Sequence, residues 1–138
     1  SMVKDKYHDW VKRALEQDGW TITHDQYPLN TGTRILNIDL GAEKLLAAQR
    51  GTEKIAIEIK SFGGPSPMTE FYQALGQFEV YEELLADTEK DRLLYLAIPE
   101  NTYHSFFQET LTIRMVEKFQ IRLLVFGVES TEIVLWKK

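Results

Sequence analysis

Ile55-Ala56-Ile57-Glu58-Ile59-Lys60 is the stretch that decides the fold, with Ile38-Asp39-Leu40 placed so that Asp39 lies nineteen residues before Glu58. Side chains along a strand alternate between faces, so Ile55, Ile57 and Ile59 bury one side while Glu58 and Lys60 project from the other. The same alternation sets Leu36, Ile38 and Leu40 on an apolar face and turns Asn37 and Asp39 away from it. Two carboxylates and an ammonium group then converge on one sheet edge. Phosphodiester hydrolysis is the chemistry that uses this set. Hard carboxylate oxygens hold Mg²⁺ or Mn²⁺, and the ion polarises the phosphate and activates water. Lys60 would stabilise the developing negative charge or orient that water. The plain alternative is a Glu–Lys pair on the wet face of a half-exposed strand. If the pair does hold the ion, Asp39→Ala or Glu58→Ala is expected to abolish metal binding without unfolding the chain, because polar-face positions leave no cavity.

Working outward, Tyr7, Trp10, Val11, Ala14 and Leu15 recur at helical spacing and Gly19 supplies a stop, which predicts an amphipathic helix over 4–18. Trp20 to Thr23 alternates like a strand, Tyr27 to Gly32 reads as loop, and Arg34 to Leu40 reads as one strand. Lys44 to Gln49 and Lys54 to Lys60 flank Arg50-Gly51-Thr52-Glu53, a hairpin connection with its glycine in place. Gly63-Gly64-Pro65-Ser66-Pro67 lacks the Gly-Lys-Ser/Thr of a phosphate loop; Ser66 as N-cap and Pro67 as first helical residue make it a helix start instead. That helix runs to about Leu85. It buries Phe71, Leu75, Phe78 and Leu85, and stacks Gln73, Gln77 and Tyr81 at i, i+4, i+8. Gly76 inside it costs about 1 kcal/mol relative to alanine, which suggests close packing there.

Leu93 to Ile98 is a continuous apolar run ended by Pro99, the pattern of a strand covered on both faces. Helical segments over 102–107 and 112–119 follow, then two strands over 121–126 and 132–136. The expectation is one domain over residues 1–138, of the α/β class with a mixed sheet. The 43 % hydrophobic content supports a compact core for that length.

The absence of cysteine removes disulfides, thiolate zinc sites and thiol nucleophiles together, and fits a reducing cytoplasm. No signal-like start and no apolar run of membrane-spanning length argue against a membrane. His8, His24 and His104 are scattered without metal-ligand spacing, and no G-x-S-x-G frames a serine nucleophile. The net charge of −5 runs against a dedicated nucleic-acid binder. Residues 1–60 are neutral, however, with nine basic and nine acidic side chains. The excess acid falls on Glu79, Glu82, Glu83, Asp87, Glu89 and Asp91, the pattern of a solvated helix face. Glu16 is either a further metal ligand from the first helix or a solvated flank residue. Gln73, Gln77 and Tyr81 are in position to hydrogen-bond a phosphate or a metal-bound water, or else form the edge of the core.

Helix, strands, Asp39, hairpin, Glu58-Ile59-Lys60, helix and strand, in that order, resemble the PD-(D/E)xK restriction-endonuclease-like superfamily, with Ile38 where its motif has proline. Gln77-Phe78-Glu79-Val80-Tyr81 resembles the Q-x-x-x-Y element of the RecB-type nuclease branch. That resemblance implies metal ligation by Asp39 and Glu58, catalysis by Lys60, and accessory roles for Gln77 and Tyr81. A second likeness covers nearly the whole chain. Asp18-Gly19-Trp20-Thr21-Ile22-Thr23-His24-Asp25, Ile38 to Glu43, Ile57 to Phe62, Gln73-Ala74-Leu75-Gly76-Gln77 and Phe126 resemble the XisH family, the fdxN-element excision controlling factors of cyanobacteria. It implies a part in excising a DNA element beside a site-specific recombinase and a small XisI-like protein, with a homodimer also allowed. Two functions stay open: a Mg²⁺- or Mn²⁺-dependent DNA endonuclease, and a catalytically silent nuclease scaffold that binds a partner protein, the recombinase or DNA.

Overall fold

The structure, a computed structural model, describes residues 5–47 and 51–138. Among these the chain is mixed α/β, with four helices, a six-stranded mixed sheet in the order β1-β4-β5-β6-β7-β8, and a separate two-stranded ribbon β2-β3. Helix α1 spans His8–Gln17 and ends where Gly19 adopts a φ of +91°. Strands β1 (Thr21–His24), β4 (Leu40–Ala47) and β5 (Gly51–Ile59) pair antiparallel. Helix α2 (Pro67–Thr88) then carries the chain across to β6 (Arg92–Pro99), which lies parallel to β5. A short α3 (Glu100–Tyr103), a 3-10 turn at Phe106–Gln108 and α4 (Thr110–Lys118) lead to β7 (Leu123–Phe126), parallel to β6, and β8 (Ile133–Lys137) closes the edge antiparallel.

The sheet is covered on both faces. Ile55, Ile57 and Ile59 pack with Val11 and Leu15 of α1, while Ala56 packs with the α2 stripe Phe71, Ala74, Phe78, Tyr81 and Leu85. Strand β6 is buried on both faces, as its unbroken apolar run predicts: Leu94, Leu96 and Ile98 face α2, and Tyr95 and Ala97 face α1. Ser66 caps α2 by accepting the Thr69 N–H at 3.3 Å, with Pro67 at the first helical position.

Several expectations are corrected. Tyr27–Asn30 is not loop but β2, paired antiparallel with β3 (Ile35–Ile38). Tyr27 and Leu29 are buried and alternate with exposed Pro28 and Asn30, and a two-stranded ribbon tolerates proline because one edge makes no ladder bond. Arg34 to Leu40 is therefore two strands, broken at Asp39. Gly51, Thr52 and Glu53 of the expected connection belong to β5, and residues 48–50 lie outside the described residues. The helix over 102–107 is split into α3 and the 3-10 turn. Gly76 marks no close packing: it is exposed, and a Cβ added there meets nothing within 4 Å.

Glu82 and Glu89 also depart from the solvated-face reading. Glu82 pairs with Arg122 at 3.4 Å. Glu89 accepts from Arg92, from the Tyr27 hydroxyl and from Lys54. The Arg92 guanidinium, itself buried, donates further to the Ile55 carbonyl at 2.8 Å and tethers the far end of the sheet.

Candidate metal and phosphodiester site

The break at Asp39 builds the site. Where β3 leaves the ribbon and β4 enters the sheet, Asp39 Oδ2 accepts the backbone N–H of Ile59 at 2.8 Å, so the side chain fastens the end of β5 across the gap. Asp39 is 3 % exposed and Glu58 2 %; neither stands on a wet face, and alanine at either position would leave a cavity. Glu58 lies on the α2 side of β5, between Ala56 and Lys60 in the alternation. Both of its carboxylate oxygens are buried and neither has a hydrogen-bond partner. Buried carboxylates normally collect donors; this one has no hydrogen bond and only the Lys60 ammonium at ion-pair distance, which marks a place built for a cation or a proton.

Lys60 Nζ stands 3.7 Å from Glu58 Oε2, and its backbone N–H is tied to the Ala97 carbonyl at 3.0 Å. Beyond it Phe62 takes a left-handed backbone, φ +54°, an arrangement that costs roughly 1–3 kcal/mol in a bulky residue. Its ring packs 5.8 Å from Phe106 and 5.3 Å from Phe107, contacts that hold the chain in that turn just past the lysine. Burial, followed by the Asp39 charge beside it, pushes the Glu58 carboxyl up to about 8, and the nearby Lys60 only partly offsets this. Burial raises Asp39 as well, against the hydrogen bond from Ile59. Two carboxyl groups that resist ionisation together are what a divalent ion relieves.

The cavity at this point has a volume of about 160 Å³ and is lined by Asp5, Asp39, Glu58, Ile59, Lys60, Ser61, Glu70 and Gln73. The structure thus brings Asp39, Glu58, Lys60 and Gln73 together. Tyr81 is buried in the α2 stripe, and its hydroxyl is held protonated by burial and then by the charges of Glu58 and Asp39. Gln77 Oε1 is buried without a partner. Glu16 is not brought in: it is exposed near the C-terminal end of α1 and takes no part in lining the cavity. His8 is buried against Asp25 at 2.7 Å, outside the lining.

Two acidic residues were missed. Asp5, just before α1, accepts the N–H of Ser61 and of Tyr7, each at 3.0 Å, and so pins the segment after Lys60. Glu70, in the first turn of α2, accepts the Gly64 N–H at 3.1 Å. The only sequence signal for Glu70 was its place one turn after the Ser66 cap. Asp5 carried none, because its contact spans 56 residues.

Among the described residues no group of three or more His, Cys, Asp or Glu side chains is arranged to hold a metal. Mg²⁺ is commonly held by one or two carboxylates and keeps several waters, so the Asp39–Glu58 pair with its orphaned oxygens fits that ion. No helix among the described residues is long and apolar enough to cross a membrane.

The family model described as "XisH protein" matches residues 2–134. The crystal structure of an XisH family protein from Nostoc punctiforme PCC 73102 is 40 % identical, with a TM-score of 0.86, covering 97 % of this chain and 100 % of that one. An fdxN element excision controlling factor protein from Anabaena variabilis is 39 % identical, with a TM-score of 0.87, covering 98 % of this chain and 100 % of that one. No curated protein sequence matches the chain. With a family model spanning nearly all of its length and two such relatives at full coverage, the chain belongs to the XisH family.

Proposed function

We propose that this protein is a Mg²⁺- or Mn²⁺-dependent DNA endonuclease of the PD-(D/E)xK, restriction-endonuclease-like type, serving the excision of a DNA element. One observation carries the reading: Glu58 is buried with neither oxygen hydrogen-bonded, beside Asp39 and 3.7 Å from the Lys60 ammonium. The order helix, antiparallel strands, Glu58-Ile59-Lys60, crossover helix and parallel strand supports the nuclease-type core. The excision role comes from the Anabaena variabilis relative.

In this reading Asp39 and Glu58 hold the ion, which when bound supplies Lewis-acid polarisation of the phosphate and a water of lowered pKa. Asp39 also keeps the end of β5 in place through Ile59, so loss of its carboxylate disturbs position as well as charge. Lys60 places its ammonium at the mouth, where negative charge grows on the phosphoryl oxygens. Gln73, Gln77 and Tyr81 are accessory: Gln73 lines the cavity and can orient a phosphate or water without adding charge, while Tyr81 and the Gln77 Oε1 are buried on α2 outside that lining. The expected partners are DNA, a small XisI-like protein and, indirectly, a site-specific recombinase; the expected setting is the cytoplasm.

Incubation of wild type and Glu58→Gln with supercoiled plasmid in Mg²⁺ or Mn²⁺, with and without the small partner protein, tests the activity. Nicking by wild type alone is the expected result. A second reading, the silent scaffold, is favoured by Asp5 and Glu70 on the cavity wall and the net charge of −5, which repel a polyanion. Absence of cutting in every arm decides for it.

A further inference from the structure

Helix α2 is apolar on both sides, which a surface helix normally is not. Opposite its core stripe it presents Tyr72, 64 % exposed, and Val80, 48 % exposed, with Gly76 between them on the same face. A groove of about 430 Å³ runs there, lined by Val80, Leu84, Glu79 and Glu83 of α2 and by Thr31 of the β2–β3 turn. Ile35, 55 % exposed, opens β3 just beyond that turn. Along the helix Glu79, Glu83 and Asp87 follow at i, i+4, i+8, all exposed and without a cation within salt-bridge distance among the described residues. Like charges at that spacing oppose the helix, and the mid-helix glycine opposes it again, yet neither has a reason within this chain.

We propose that this face of α2 docks a basic amphipathic helical segment of a partner protein. Its apolar residues would enter the Val80–Leu84 groove over Gly76, where the missing Cβ allows close approach. Its lysines or arginines would meet Glu79, Glu83 and Asp87. Charge selects this occupant over the others. Two copies related by a two-fold axis would set one acidic ridge against another, and DNA phosphates would be repelled. The proposal is independent of nuclease activity.

The test is fluorescence anisotropy of the full chain with a labelled helical Leu/Lys peptide, its leucines at i, i+3, i+4 spacing, and a matched Leu/Glu peptide as control. The Leu/Lys peptide is expected to bind. Val80→Ser, and the double change Glu79→Lys with Glu83→Lys, should each weaken binding by about tenfold or more, the loss of roughly one apolar contact or two ion pairs. Glu117→Lys with Glu129→Lys, exposed elsewhere, should leave binding unchanged, and thermal melts of every variant confirm folding. Equal binding by wild type and the α2 variants, or binding of the Leu/Glu peptide, overturns the proposal. A wild-type dimer in sedimentation that Val80→Ser dissociates overturns it too, assigning the face to a second copy.

Discussion

Replacing Glu58 by glutamine should stabilise the metal-free protein at neutral pH, because the folded chain no longer has to keep a buried carboxyl protonated. The magnitude follows from linkage. The Glu58 carboxyl titrates near 4.5 when unfolded and at about 8 when folded. The folded state therefore binds the extra proton between those values, and stability falls as pH rises through that window. Each pH unit inside it costs about 1.4 kcal/mol, so by pH 7 wild type should have lost about 3 kcal/mol relative to pH 4.5 on this account. Glutamine keeps the shape and cannot ionise, so Glu58→Gln should lack that slope. Urea denaturation followed by tryptophan fluorescence, at pH 5, 6, 7 and 8 in a chelator, reads the difference between the two proteins. Mg²⁺ at pH 8 should recover part of the loss in wild type and none in the variant, because an ion that binds only the folded state adds its binding energy. Parallel pH profiles for the two proteins over this range would refute the reasoning.

Lys60→Met should abolish any plasmid cutting while leaving metal affinity within about twofold, if the ammonium serves the phosphate as proposed and does not ligate the ion; calorimetry and the nicking assay together check this. Arg92→Ala should cost about 2–3 kcal/mol in urea midpoint stability, somewhat below a fully buried pair because Glu89 is a quarter exposed. Hydrogen bonds from Arg92 and Tyr27 outweigh burial and hold the Glu89 carboxyl at about 2, below its usual 4.5. That contribution is present above pH 4.5 and fades as pH falls toward 2, so Glu89→Gln should flatten the acid limb of the stability profile. Gly76→Ala should raise stability by about 0.5–1 kcal/mol, since the helix gains a better former and the new methyl meets nothing.

What could be read from the sequence was whatever depends on local period. The Ile55–Ile59 alternation, the Ser66–Pro67 helix start and the unbroken Leu93–Ile98 run each state their element, because side-chain spacing and capping are properties of a few adjacent residues. The same alternation set Asp39, Glu58 and Lys60 on the polar sides of their strands, and the resemblance implied their roles. Illegible were the facts that need a second layer. Glu58 looked half-exposed because alternation says which side a residue faces and nothing of what covers that side; here α2 covers it. Tyr27–Asn30 passed for loop because Pro28 and Asn30 are turn residues, yet the burial of Tyr27 and Leu29 against α2 overrides that preference. Asp5 entered the cavity through a backbone contact 56 residues away, for which no spacing rule exists. Glu16 sat on a plausible helix, but α1 packs on the isoleucine face of β5 and leaves Glu16 in solvent.

A divalent-cation site formed by the buried Glu58 carboxylate with Asp39 would need both side chains. Isothermal titration of Mn²⁺ into wild type, Asp39→Asn and Glu58→Gln at pH 8, where about half of Glu58 ionises, measures this requirement. One ion bound by wild type, with proton release, and at least about tenfold weaker binding in both isosteric variants is the predicted result. The same heats in all three proteins would contradict it.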